Sequence, residues 1–129
     1  MNWTEAEYHT YLARHVASQS ALYSPGDNNI EESELQATIR QGALRHGWLY
    51  YHTHDSRGSD SGFPDTVLAR PGALIFAELK NATRKATQAQ LVWLDILGKS
   101  VPGVEAYLWR PRDLATALAR LVQQEGPTP

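Results

Sequence analysis

The spacing of apolar residues divides the chain into helical and extended segments. In four segments apolar residues recur about every 3.6 positions, as in helices that bury one face. In four others they alternate with polar residues or run continuously, as in strands. The predicted helices cover residues 4–20, 30–46, 87–98 and 113–122, and the predicted strands cover residues 48–53, 65–70, 73–80 and 104–109. The order is two helices, three strands, a helix, a strand and a helix.

The connections between the predicted strands indicate the fold. Pro71-Gly72 is a tight turn that joins the second and third strands into a hairpin. The third strand is apolar on both faces, as expected of a central strand. The helix that follows it allows a crossover to the fourth strand. We therefore expect an α/β fold, a mixed four-stranded sheet flanked by helices.

A polar segment divides the chain near its start. Ser24-Pro25-Gly26-Asp27-Asn28-Asn29 combines residue types that interrupt helices and strands. We therefore divide the chain into an N-terminal helix and linker (residues 1–29), a main domain (30–124) and a frayed tail (125–129).

Composition is that of an ordinary globular protein. The 129 residues suit one domain, with 42% apolar and 20% charged residues. The absence of cysteine excludes disulfides and thiolate metal ligands. No apolar run is long enough to span a membrane and no signal-peptide pattern is present, so we expect an intracellular, cytoplasmic protein. The net charge of −2 argues against coating DNA through bulk positive charge, but not against local DNA contacts.

Two carboxylates and a lysine stand at the ends of the predicted hairpin strands. Asp65 follows Gly62-Phe63-Pro64 and opens one strand, and Glu78 and Lys80 close the next. Residues i and i+2 of a strand share a face, so Glu78 and Lys80 project to one side, which Asp65 reaches from the neighbouring strand. Asp65, Glu78 and the backbone carbonyl of Leu79 could bind Mg²⁺. Lys80 would then orient or deprotonate an attacking water, or stabilise developing negative charge.

Glu32 and Gln90 are polar residues on the apolar stripes of two predicted helices. On the first stripe, Glu32 could bind a cation or help to position one. The second stripe consists of Gln90, Trp93, Leu94 and Leu97. Gln90 could hydrogen-bond Lys80 or the nucleophile. Each residue also has a structural alternative, because Asn29 and Glu32 have the spacing of a capping box. Thr87 and Gln90 have the same spacing, and at this stage both alternatives stay open for both residues.

Basic and polar residues near the hairpin are candidates for DNA contact. The candidates are Arg57, Arg84, Lys85 and His54. We expect them to contact phosphates. His52-x-His54 with Asp55 could instead form a transition-metal site, but no further histidine lies nearby in the sequence. We therefore favour a phosphate-facing loop.

Several stretches of the chain, taken together, resemble the VRR-NUC family of the PD-(D/E)XK nuclease superfamily. The main ones are Gly62-Phe63-Pro64-Asp65, residues 74–80 and Thr87-x-x-Gln90-x-x-Trp93-Leu94. Glu32-x-x-x-Gln36 and residues 47–57 and 104–111 fit the family pattern as well. The similarity covers residues 30–122. Residues 1–29 and the loop at 81–86 depart from it.

The resemblance implies a restriction-endonuclease-like core and Mg²⁺- or Mn²⁺-dependent hydrolysis of phosphodiester bonds in DNA. By motif match it implies that Asp65 and Glu78 bind the metal. It also implies catalytic roles for Lys80, Glu32 and Gln90. Family members are associated with branched, flap or junction DNA, and small members, often phage-encoded, with action as homodimers. The alternatives are a non-catalytic DNA-binding or assembly module with the same fold, and a purely structural salt-bridged domain.

Overall fold

The computed structural model of the chain describes residues 30–53 and 57–123. The predicted helix at residues 4–20, His54 and the predicted tail lie outside these residues. The elements are α1 (Glu32–Arg45), β1 (Leu49–His52), β2 (Thr66–Arg70), β3 (Ala73–Leu79), α2 (Gln88–Gly98), β4 (Val104–Trp109) and α3 (Leu114–Val122). They follow the predicted order from the second predicted helix onward. None of these helices is long and apolar enough to cross a membrane.

The four strands form a mixed sheet in the order β1-β2-β3-β4. The β1–β2 and β2–β3 pairs are antiparallel, and the β3–β4 pair is parallel, with α2 as the crossover. Gly72 supplies the positive φ of +84° in the hairpin turn between β2 and β3. The expected α/β architecture, a mixed four-stranded sheet flanked by helices, is therefore confirmed.

The helices cover both faces of the sheet. Helices α1 and α3 pack together on one face, and α2 packs against β3 and β4 on the other. The buried apolar residues of the three helices are Leu35, Ile39, Ala43, Leu91, Leu94, Ala117 and Leu121. Gly42 allows α1 and α3 to approach closely, because a Cβ at this position would lie 2.8 Å from Leu118 Cδ2.

The inward face of α2 differs from the predicted stripe. Leu91, Leu94 and Asp95 are buried, whereas Trp93, which was expected to face the core, is 36% exposed. Trp93 packs edge-to-face on Phe63, with ring centroids 5.1 Å apart. The prediction for Trp93 was wrong because the helix is turned so that this ring closes the margin of the core against the loop before β2.

The first turn of α1 excludes one structural alternative for Glu32. The residue that caps α1 is Glu31, whose side chain makes no capping hydrogen bond. Glu32 is the first residue of the helix, and a capping box would need it at the third position. The proposed box between Asn29 and Glu32 is therefore wrong.

A buried ion pair ties α3 to the face of the sheet opposite α2. Arg120 donates from Nε to Glu105 Oε1 at 2.6 Å and from Nη2 to Oε2 at 2.5 Å. The Tyr107 hydroxyl donates to the same Oε1 at 2.6 Å. Burial and the Glu105 charge raise the pKa of Tyr107 above its ordinary value. This cluster satisfies the charges of Arg120 and Glu105.

Gly62 brings the loop before β2 into contact with the start of α2. Its φ is +96°, and a Cβ here would lie 2.7 Å from the backbone of Ala89. Only glycine meets both conditions, since other residues are strained at positive φ and the nearby backbone cannot yield. The loop therefore carries Asp65 to the N-terminal turn of α2.

We expect Gly62→Ala to lower the free energy of unfolding by about 2–4 kcal/mol, from backbone strain and overpacking together. Gly58→Ala is the matched control, because Gly58 also has a positive φ, +85°, but no atom of the described residues, apart from its chain neighbours, lies within 4 Å of the position that its Cβ would take. It should cost only the strain, about 1–2 kcal/mol. Urea denaturation of both variants measures the difference, and equal losses would contradict the contact with α2.

Candidate active site

Two carboxylates meet at the adjoining ends of β2 and β3. Asp65 lies immediately before β2, and Glu78 is the second-last residue of β3. The Asp65 N–H donates to Glu78 Oε1 at 3.2 Å, and the Leu79 N–H donates to Asp65 Oδ1 at 3.2 Å. Each carboxylate thus accepts a backbone N–H from the other strand or its extension. We refer to these two hydrogen bonds as the carboxylate bridge.

Lys80 and Gln90 both contact the second oxygen of Glu78. Lys80 Nζ lies 3.6 Å from Oε2, and Gln90 Nε2 donates to it at 3.1 Å. Glu78 and Lys80 are both about 5% exposed. Strand alternation therefore brings Glu78 and Lys80 to one side, as their i, i+2 spacing indicated.

Gln90 also forms the capping box that was its structural alternative. Its Oε1 accepts from the Thr87 N–H at 2.8 Å, while its own N–H donates to Thr87 Oγ1 at 3.1 Å. The amide thus uses its oxygen for the cap and its nitrogen for Glu78. The contact is with Glu78, where the sequence had suggested Lys80 or the nucleophile.

Burial makes both carboxylates costly to ionise. Burial and, secondly, the charge of Asp65 raise the pKa of Glu78 to about 8, despite the opposing effect of Lys80. Burial also raises the pKa of Asp65, against hydrogen bonds from Thr66 and the charge of His52. Two neighbouring carboxylates whose pKa values are both raised are stabilised when a proton or a cation lies between them.

The donor atoms fit a hard divalent cation. Asp65 and Glu78 supply carboxylate oxygens, and Mg²⁺ is usually bound by one or two carboxylates with water and phosphate oxygens completing its shell. Residues 30–53 and 57–123 contain no group of three or more His, Cys, Asp or Glu side chains arranged to hold a metal ion. The two carboxylates would therefore need other oxygens. The peptide of Leu79 borders them through its N–H, and the role of its carbonyl stays a prediction.

Glu32 approaches the site from α1, on the face of the sheet opposite α2. It is half-buried at the first position of that helix. Its negative charge is one of the causes that raise the pKa of Asp65. Glu32 is thus within electrostatic range of Asp65, and its catalytic role stays a prediction.

Two residues that the sequence did not associate with Asp65, Thr66 and His52, contact it or lie beside it. Thr66 Oγ1 donates to Asp65 Oδ1 at 2.8 Å, and His52 Nδ1 lies 2.9 Å from the same hydroxyl. His52 was considered only together with His54. His52 and Thr66 are cross-strand partners in the β1–β2 pair. The long connection between these strands leaves their register undetermined in the sequence, so this partnership could not be predicted.

Tyr50 lines the same side of β1. Its hydroxyl is buried, close to the Thr66 side chain. Burial, and secondly the negative charge of Asp65, raise the pKa of Tyr50 to about 12. Tyr50 therefore stays neutral beside the carboxylates at neutral pH.

The basic loop after Lys80 is held in a defined turn. Asn81 Oδ1 accepts from the N–H groups of Thr83 at 3.1 Å and Arg84 at 2.6 Å, and Arg110 donates to the carbonyl of Asn81. Arg84 and Lys85 are exposed just beyond this turn. Of the other predicted DNA contacts, Arg57 is exposed in the β1–β2 connection, and His54 lies outside the described residues.

The comparisons with known proteins add no relative. No protein-family model matches the chain, and neither a curated protein nor a solved structure does so. The VRR-NUC likeness therefore rests on the sequence motifs alone.

We expect the metal-free protein to lose stability as the pH rises from about 5 to about 8. The folded-state pKa of Glu78 is raised from its ordinary 4.5 to about 8. The stability that protonated Glu78 contributes is therefore fully present below the pKa of the unfolded state. It is lost as the pH rises through the pKa of the folded state. Thermal unfolding in chelator across this range should show the decline.

Glu78→Gln should flatten that decline, because the amide does not titrate. Asp65, whose pKa is also raised, should leave a residual slope of the same sign. Glu34→Gln is the control, since Glu34 is an exposed carboxylate on α1. An equally steep decline in Glu78→Gln would contradict the assignment to Glu78.

Proposed function

We propose that this protein is a divalent-metal-dependent endonuclease that hydrolyses phosphodiester bonds in DNA. The main support is the carboxylate bridge between Asp65 and Glu78, with Lys80 paired to Glu78 on the same side. A DNA-binding module without catalysis has no use for a buried and a half-buried carboxylate that both repel phosphate. A purely structural pair is expected to close in short hydrogen bonds, as Arg120 does with Glu105 at 2.5–2.6 Å, whereas Lys80 Nζ lies 3.6 Å from Glu78 Oε2.

Asp65 and Glu78 would hold Mg²⁺ or Mn²⁺ in this function. The ion, when bound, polarises a phosphate oxygen and lowers the pKa of a bound water. The chain keeps the carboxylates in place before the ion arrives. The carboxylate bridge fixes their separation, and Gln90, itself fixed by Thr87, orients Glu78. Such preorganisation avoids reorganising the ligands during the reaction.

Lys80 is suited to act on the phosphate or the attacking water. The 3.6 Å distance from Nζ to Glu78 Oε2 is an ion-pair contact, longer than a strong hydrogen bond. The ammonium group therefore keeps donors for a phosphate oxygen, where it would stabilise developing negative charge. Glu32, which approaches from α1, would help to position the cation.

The DNA would approach across the basic loop and the β1–β2 connection. Arg84 and Lys85 extend from the turn that directly follows Lys80, so phosphates that they bind would lie beside the carboxylates. We propose branched, flap or junction DNA as the substrate, in line with the resemblance. A homodimer would supply one site for each of two strands.

We expect cleavage of DNA by the full chain in Mn²⁺ or Mg²⁺ and none in chelator. Asp65→Asn and Lys80→Met should each reduce the rate by a factor of about 10² or more, the range for a lost acid–base or charge-stabilising group. Lys99→Met is the matched control, because Lys99 pairs with Asp95 at the far end of α2. Linear, flapped and four-way DNA, labelled at one end, report rate and substrate together.

The same assay separates the alternatives. Binding without cleavage of any substrate in metal would favour the non-catalytic module. Cleavage that survives Asp65→Asn and Lys80→Met would place the chemistry elsewhere in the chain.

Arg84 and Lys85 should contribute to DNA binding through phosphates. We expect the double variant Arg84→Ala/Lys85→Ala to weaken binding of every sequence, and to reduce the slope of log K against log salt by about 2. Arg45→Ala/Lys99→Ala makes the same charge change at the far ends of α1 and α2, and should leave the slope near that of the unaltered chain. Binding is measured in chelator by fluorescence anisotropy, and equal slopes for the two variants would contradict the contact.

A further inference from the structure

The hydrogen bonds of Thr66 fix the proton on His52. A hydroxyl group has one proton to donate. Thr66 Oγ1 donates it to Asp65 Oδ1 at 2.8 Å. The 2.9 Å contact between His52 Nδ1 and Thr66 Oγ1 therefore needs its proton on the ring nitrogen. The three residues form a chain in one direction, from His52 N–H to Thr66 O–H to Asp65.

This chain occupies one oxygen of Asp65. Oδ1 accepts the Thr66 hydroxyl and, at 3.2 Å, the Leu79 N–H. Two donors fill the two acceptor positions of a carboxylate oxygen. The cation that the site would hold is thereby left to Oδ2.

The chain also joins the two faces of the sheet. His52 and Thr66 are cross-strand partners, Thr66 is fully buried, and the His52 side chain is 14% exposed. Glu78 and Lys80 lie on the other face, toward α2. Asp65 stands just before β2, where its side chain can bond Thr66 while its N–H bonds Glu78. Its orientation is thus set from the α1 face, by strand residues with little freedom.

We propose that His52 and Thr66 are positioning residues, which hold Asp65 so that Oδ2 faces the divalent cation. The inference rests on the proposed function, because it assumes that Asp65 is a metal ligand. Hydrogen-bonded partners of metal ligands orient them, and their loss typically costs a factor of about 10–100 in metal affinity.

Calorimetric titration of the full chain with Mn²⁺ alone tests the proposal without any turnover. Thr66→Val, which keeps the shape but removes the hydroxyl, and His52→Leu should each weaken Mn²⁺ binding by a factor of about 10 or more. His52→Asn should bind nearly as well as the unaltered chain, since its amide nitrogen can donate from the Nδ1 position.

A double variant distinguishes positioning from packing. Because the two residues act in series, His52→Leu/Thr66→Val should bind Mn²⁺ about as weakly as either single variant. Independent packing effects would multiply instead, and His52→Asn would then weaken binding as much as His52→Leu. Either of these results would overturn the proposal.

Nitrogen-15 NMR of the unaltered chain in chelator provides a readout that depends on neither metal nor folding of a variant. We expect Nδ1 of His52 to carry a proton at neutral pH. A bare Nδ1 with the proton on Nε2 would overturn the direction of the chain.

The failures are distinguishable. If the unaltered chain binds no Mn²⁺, or Asp65→Ala binds it equally well, the proposed metal site fails and the inference with it. If Asp65→Ala loses binding while Thr66→Val and His52→Leu keep it, the metal site stands and the positioning chain alone is overturned.

Discussion

The carboxylate bridge is the constraint on which the rest of the site depends. A buried carboxylate beside a half-buried one is costly, because each loses water and repels the other. Here each receives a backbone N–H, from Asp65 to Glu78 and from Leu79 to Asp65. The β2–β3 pairing places these donors, so the hairpin register brings the two carboxylates together.

Helix α2 completes what the hairpin begins. Gly62 lets the loop before Asp65 lie against Ala89 in the first turn of α2, and this contact sets the distance from the helix to the carboxylates. Gln90 spans that distance to reach Glu78. Three parts of the fold therefore meet at the two carboxylates. They are the adjoining ends of β2 and β3, the loop before β2 and the N-terminus of α2.

The features that could be predicted from the sequence are local ones. The turn at Pro71-Gly72 follows from two residues. Helical periodicity predicted that Glu32 lies on the core-facing side of its helix, and Glu32 is half-buried and raises the pKa of Asp65. The first residue of α1 could not be predicted from local spacing. A capping box with Asn29 would start the helix at residue 30, but α1 begins at Glu32. The partnership of His52 with Thr66 depends on strand register across a long connection, which no local spacing encodes.

Gln90 shows that a structural role and a functional role need not compete. Its amide has an acceptor end and a donor end. The cap at Thr87 uses the acceptor, and this fixes the side chain so that the donor must point to Glu78. Thr66 follows the same logic, since accepting from His52 leaves its proton for the other carboxylate. In both cases a second hydrogen bond determines which end of a polar group faces a carboxylate, so the site is oriented by the residues that also stabilise the fold.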